Sequence, residues 1–183
     1  MDFPGYAFEG AISEGDWVRA HGKMKRGTRR ATHLHRHQQH SIAGLVMLAY
    51  GREALSVTEL LKLGVKHEAL TDRGWLHAGL ADLATSYGVP GRAEPVAARD
   101  LIDRLADAPV VISVTEQFPD DGRKGGHLVI ARGYEDGTDP DFLIRDPSAW
   151  GQSHARVPLS RLSASYTGRA ITFAPLTAGR TSS

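Results

Sequence analysis

The sequence predicts an α+β fold, with helices first and a run of antiparallel strands after them. Three observations carry that prediction. Apolar residues recur at helical spacing between Ser41 and Ala106. From Pro109 onward they gather instead into short β-branched runs, and Gly-, Pro- and Asp-rich stretches separate those runs. The 183 residues suit one domain with a sizeable core, and 41% apolar and 23% charged residues are ordinary for a globular chain. A net charge of +1 gives no pull toward nucleic acid or a membrane surface, so neither is expected as a partner. No apolar run approaches the roughly 20 residues of a membrane span, and Met1-Asp2-Phe3-Pro4 opens no apolar leader. A cytoplasmic location is therefore expected.

The elements follow in order. Residues 1–37 read as an N-terminal extension packing on or near a cleft. Within it, Tyr6 to Ile12 suits a strand broken by Gly10. Lys23 to Arg30 is a basic run without aromatic partners, read as a solvated loop over an RNA- or acidic-peptide-binding patch. Ser41 to Tyr50 is apolar on nearly all sides, which predicts a buried helix. Ser56-Val57-Thr58-Glu59 has capping-box spacing and starts a helix through Leu63, with Gly64 as its stop. A further helix runs over Trp75 to Ala84, closed by Tyr87-Gly88, and another over Ala97 to Ala106 with Leu101, Ile102 and Leu105 facing in. Pro109 to Val114 predicts a buried strand and Gln117 to Gly125 a loop. His127 to Tyr134 is a second strand, Glu135-Asp136-Gly137 a turn and Phe142 to Arg145 a third strand. Pro158 to Leu162 is a helical turn, and Arg169 to Phe173 is the last strand. Residues 176–183 read as a disordered tail.

The chemistry centres on His127 and Asp146. A His at the head of one strand and an Asp at the tail of the next lie side by side when the strands pair, and a carboxylate there orients an imidazole for acid–base work. Taken alone, His127 has the alternative reading of a core histidine after a glycine turn, and Asp146-Pro147 that of a turn opener. Taken together they favour a functional pair. Gly125-Gly126 before the histidine allows close backbone approach. The third member of such a site is a nucleophile, often at a helix N-terminus. Gln38 to Gly51 is the place to find it.

These residues resemble a family. A helix start, Gly126-His127 with an apolar strand ending Gly133-Tyr134, and a strand ending Asp146-Pro147 are similar in order to the papain-like cysteine peptidases of the bacteriocin-leader-processing type, especially their stand-alone bacterial relatives. In that family the helix opens Cys-(Gly/Ser)-Pro-(Ala/Thr), carries a Met seven residues after the Cys and ends near an aromatic-Gly. Here Met47 lies seven after His40, Ser41 stands at the Gly/Ser position, and Tyr50-Gly51 closes the helix. The resemblance implies a papain-like fold over residues 38–175, with N-terminal helices packed on a C-terminal antiparallel sheet. It also places His40 on the nucleophile position. The chain holds no cysteine, so it has no thiol nucleophile, disulfide or thiolate metal site. Ser41 is the alternative substitute for that Cys.

A histidine at a helix N-terminus gains nothing from charging, so a neutral imidazole is expected at His40. It is a competent base and a poor peptide-bond nucleophile. Ser41 reads as an N-cap or second helical residue, and also as the nucleophile of a Ser41–His127–Asp146 triad. Gln38 or Gln39 is a candidate oxyanion donor. Trp75 and Trp150 are candidate aromatic walls of a substrate cleft, or core and rim packing. His33, His35 and His37 alternate, as metal ligands on one strand face would, but no carboxylate is interleaved. No metal or cofactor is expected. The expected partner is a peptide substrate or precursor peptide. The expected function is non-proteolytic peptide modification, isomerisation or cyclisation, using His40, His127 and Asp146. The alternatives are a peptide-binding pseudo-peptidase and a serine-type peptidase using Ser41.

Overall fold

The computed structural model describes residues 57–71, 74–146, 148, 150–151 and 153–175. The extension 1–37, the helix proposed over 41–50 and the tail 176–183 lie outside the described residues. Helix α1 (Val57–Lys66) leads through the short strands β1 (Leu70–Thr71) and β2 (Gly74–Trp75) to α2 (His77–Ser86). Then come β3 (Gly91–Pro95), a 3₁₀ turn (Ala98–Asp100) running into α3 (Leu101–Leu105), β4 (Val110–Val114), β5 (His127–Glu135), β6 (Asp141–Arg145), β7 (Arg156–Pro158), α4 (Leu159–Ser165) and β8 (Arg169–Phe173). Six strands form one sheet in the order β3-β8-β4-β5-β6-β7, with every neighbouring pair antiparallel. The mixed helix and antiparallel-sheet class is the one the sequence predicts.

The strands are buried for the reason their composition suggests. All five residues of β4 are buried, as β-branched residues between two packed layers should be. Alternation along β5 sends Leu128 and Ile130 to one core and Val129 and Ala131 to the other. The first core gathers Leu80, Leu83 and Trp75 with Val111, Leu128, Ile130 and Ile171, so the N-terminal helices pack on the sheet. The second sets Leu101 of α3 and Leu162 of α4 against Ile112, Val129, Phe142 and Ile144.

Several boundaries differ from expectation. Helix α1 does not stop at Gly64. It runs to Lys66, and Glu68, in the left-handed region at φ 55, makes the turn that ends it. The Glu68 N–H donates to the Val65 carbonyl (3.1 Å) and the Ala69 N–H to the Gly64 carbonyl (2.8 Å), the paired bonds of a Schellman ending. Gly64 serves packing instead, for a Cβ there would run into the Trp75 indole. Trp75 itself lies on β2, ahead of the helix expected to contain it. The expected turn at Glu135 begins one residue later, and β3 and β7 are strands the pattern did not announce. Both are edge strands, where half of the hydrogen-bonding groups and much of one side remain outside the core, so the apolar signal is weak.

Candidate functional site

The two residues singled out at the ends of consecutive strands meet. His127 opens β5 and faces Val114 at the end of β4, while Asp146 directly follows β6. His127 shares its face of β5 with Val129 and Ala131 by alternation, and Asp146 shares its face with Phe142 and Ile144. Those four apolar residues belong to one core, so both side chains turn to the same side of the sheet. His127 Nε2 lies 2.8 Å from Asp146 Oδ1, with the two side chains 2% and 0% exposed.

Asp146 is also the turn opener that its Asp-Pro context suggested. Its Oδ1 accepts the N–H of Ser148, two residues on, at 2.8 Å. Thus the turn fixes the carboxylate that receives the imidazole, and both sequence readings describe one arrangement. Ser148 Oγ in turn accepts the Gly151 N–H at 3.1 Å. Gly151 backs directly onto Asp146, where any Cβ would overlap the aspartate's main chain and side chain. Burial alone pushes the Asp146 carboxyl up, but the hydrogen bond and charge of His127, together with the donors of Ser148, outweigh it and hold the carboxyl below its ordinary range.

An ionised Asp146 can only accept, so His127 Nε2 carries the proton of this bond. In the neutral ring, Nδ1 then holds the free lone pair. That atom is buried and has no hydrogen-bond partner among the described residues. It is the point at which this ring can take up or return a proton. Gly125 and Gly126 immediately before it sit at φ 84 and 89, a conformation that side-chain-bearing residues rarely adopt.

The other candidates fall in three groups. His40, Ser41, Gln38 and Gln39 lie outside the described residues, as do His33, His35 and His37. Trp75 is 6% exposed and fills the helix-side core. Trp150 is half-buried near the Asp146 turn, held between other side chains. Its ring stacks on His154 at 4.1 Å and 4°, meets Phe118 at 5.6 Å, and has the Arg161 guanidinium 5.7 Å from its centroid. Ser148, Gly151 and Arg161 were not read from sequence. An Asx turn at Asp146-Pro147-Ser148 was the available signal for the first of them. Among the described residues no three His, Asp or Glu side chains gather as a metal site would require, and no helix is long and apolar enough to cross a membrane.

With this geometry in view, known structures supply a frame. The chain is similar to the peptidase domain of Streptococcus ComA, a bifunctional ABC transporter involved in a quorum-sensing pathway. The match has 22% identity, a TM-score of 0.56, and covers 73% of this chain and 88% of that one. It is also similar to a double-glycine-motif protease from an AMS/PCAT transporter, solved in complex with the leader peptide. There the identity is 16% and the TM-score 0.51, with 74% of this chain and 82% of that one covered. No protein-family model matches the chain, and no curated protein does. The fold is that of these papain-like peptidase domains.

Proposed function

We propose that this chain acts on a peptide by proton transfer, with His127 as the acid–base group and Asp146 orienting it. The observation that carries the reading is the buried 2.8 Å pair that leaves Nδ1 of His127 open to a partner. The similar peptidase domains support a peptide as the ligand, and the leader peptide bound to one of them supports a double-glycine leader as its recognition element. The chain has no cysteine, so the thiol chemistry of a cysteine peptidase is closed to it. His40, on the position that the resemblance gives to the nucleophile, supplies the second imidazole. For isomerisation, one ring removes a proton from a peptide α-carbon and the other returns one to the opposite face. For cyclisation, an internal amine attacks a backbone carbonyl, one ring takes the amine's proton and the other protonates the amine that departs as the old peptide bond breaks.

The test uses a synthetic precursor peptide with a double-glycine leader, incubated in deuterated water and read by mass spectrometry. A gain of one dalton without cleavage is expected. His127→Ala should lower that exchange by about 10²–10⁴-fold, the usual worth of a positioned acid–base group. Binding without exchange would make the chain a pseudo-peptidase. Cleavage that is lost in Ser41→Ala would make it a serine-type hydrolase.

A further inference from the structure

The turn that follows β4 carries two consecutive side-chain-bearing residues in the left-handed region, Gln117 at φ 67 and Phe118 at φ 49. Such a pair is held only where its surroundings over-determine it. Here the holder is Arg161 of α4. Its Nε donates to the Phe118 carbonyl at 2.9 Å and its Nη2 to the Gln117 carbonyl at 2.8 Å. The planar guanidinium suits this task, because two donors leave it in a fixed fork. The Phe118 side chain is fully buried, and its ring meets Trp150. The same guanidinium lies 5.7 Å from the Trp150 ring, within cation–π range.

Trp150 belongs to the segment whose Ser148 N–H and Gly151 backbone seat Asp146. On the other side, the turn continues from Val114, the residue paired with His127. Arg161 therefore links two segments that lead to the dyad through one group: the turn leaving the His127 partner strand, and Trp150 in the segment that continues from the Asp146 turn.

We propose that Arg161 is the positioning residue of the His127–Asp146 pair, clamping the Gln117–Phe118 turn against Trp150 so that the carboxylate keeps its seat beneath the imidazole. This rests on the dyad being the site, but its measurement is independent of turnover and of any peptide. Removing the fork should free the turn, loosen Trp150 and let Asp146 drift from His127. An ordinary loss of packing elsewhere should not.

The experiment records the His127 ring N–H and Cε1–H resonances at fixed pH in the full chain, assigned by their absence in His127→Ala. Arg161→Met, Arg161→Lys and Leu83→Ala are compared with the parent. Leu83→Ala is the control, since Leu83 belongs to the opposite core. In the parent the ring N–H bonded to Asp146 should be protected from solvent and visible; Arg161→Met should open it to exchange and lose the line. Arg161→Lys keeps the charge, loses the fork and should lose it too. Leu83→Ala should lower the melting temperature and leave the line in place. A ring N–H line retained in both Arg161 variants overturns the proposal, as does its loss in Leu83→Ala. If Arg161→Met does not fold, Arg161→Lys decides alone.

Discussion

Leu128 and Ile130 leave β5 on one side and are covered by α1 and α2, while His127 and Val129 leave it on the other and meet α3, α4 and the Asp146 turn. The first core is apolar but for Ser113, which is buried opposite Leu128. On the second side, imidazole, carboxylate and hydroxyl groups are buried among apolar ones: His127, Asp146, Ser165 and Tyr166 are all under 9% exposed. Burying such groups costs stability unless each finds a partner. Yet His127 Nδ1, Asp146 Oδ2, Ser165 Oγ and the Tyr166 hydroxyl have none among the described residues. Single strands thus divide their labour between the two sides of the sheet. Alternate residues of β5 serve an apolar face that stabilises and a mixed face that buries polar groups at the expense of stability.

Injury to the apolar face should have the largest effect on stability. Trp75→Ala empties a buried site in the first core, and should cost about 3–5 kcal/mol by the usual large-to-small penalty. The His127 resonance should survive in whatever fraction remains folded. Calorimetry with the same NMR spectrum checks both halves, and a coupled loss of the dyad would show that the two faces are not separable. Gly64→Ala tests the same face from below. Its Cβ would meet the indole of Trp75, so about 1–3 kcal/mol of overpacking is expected. Against a Trp75→Leu background the same glycine substitution should cost little, because the smaller side chain leaves room.

That pair of residues also shows what the sequence disclosed and what it hid. Gly88 reads as a helix stop and is one: its N–H and that of Val89 return to the Thr85 and Ala84 carbonyls (2.9 and 3.0 Å). Gly64 carries the same letter and does something else, because nothing local distinguishes a glycine that caps from one that lets a neighbour approach. Glu68 ends α1 in a conformation its side chain disfavours, so tertiary packing decides that boundary. The dyad was legible because strand alternation and chain order alone place His127 beside Asp146. The turn at Gln117–Phe118 and its Arg161 clamp were not, since they join residues more than forty positions apart. The helix that the resemblance makes the home of His40 and Ser41 lies outside the described residues, so that half of the site stands on sequence alone.

Acid should reach the mixed face first. The Asp146 carboxyl is held below its ordinary range in the folded chain, so its pair stabilises the fold above the unfolded carboxylate range. That contribution is lost as pH falls through the lower folded value. Melting temperature should therefore decline below about pH 4, and Asp146→Asn should flatten the decline. A chain whose acid sensitivity is the same in Asp146→Asn owes it to other carboxylates.

The smallest effect is expected at Tyr166. The residue is 3% exposed, and burial pushes its phenol well above the ordinary tyrosine range, so the hydroxyl stays protonated across the working pH range. It has no hydrogen-bond partner among the described residues, while the ring belongs to the second core. Removing a buried hydroxyl that bonds to nothing removes a desolvation cost and keeps the packing. Tyr166→Phe should thus be neutral, or stabilising by up to about 1 kcal/mol. Denaturant unfolding measures this directly if the slope with denaturant stays constant. Should the variant instead lose more than about 1 kcal/mol, the hydroxyl is bonded in the folded chain. The mixed face would then be better satisfied than the described residues alone make it, and the contrast between the two faces would narrow to His127 and Asp146.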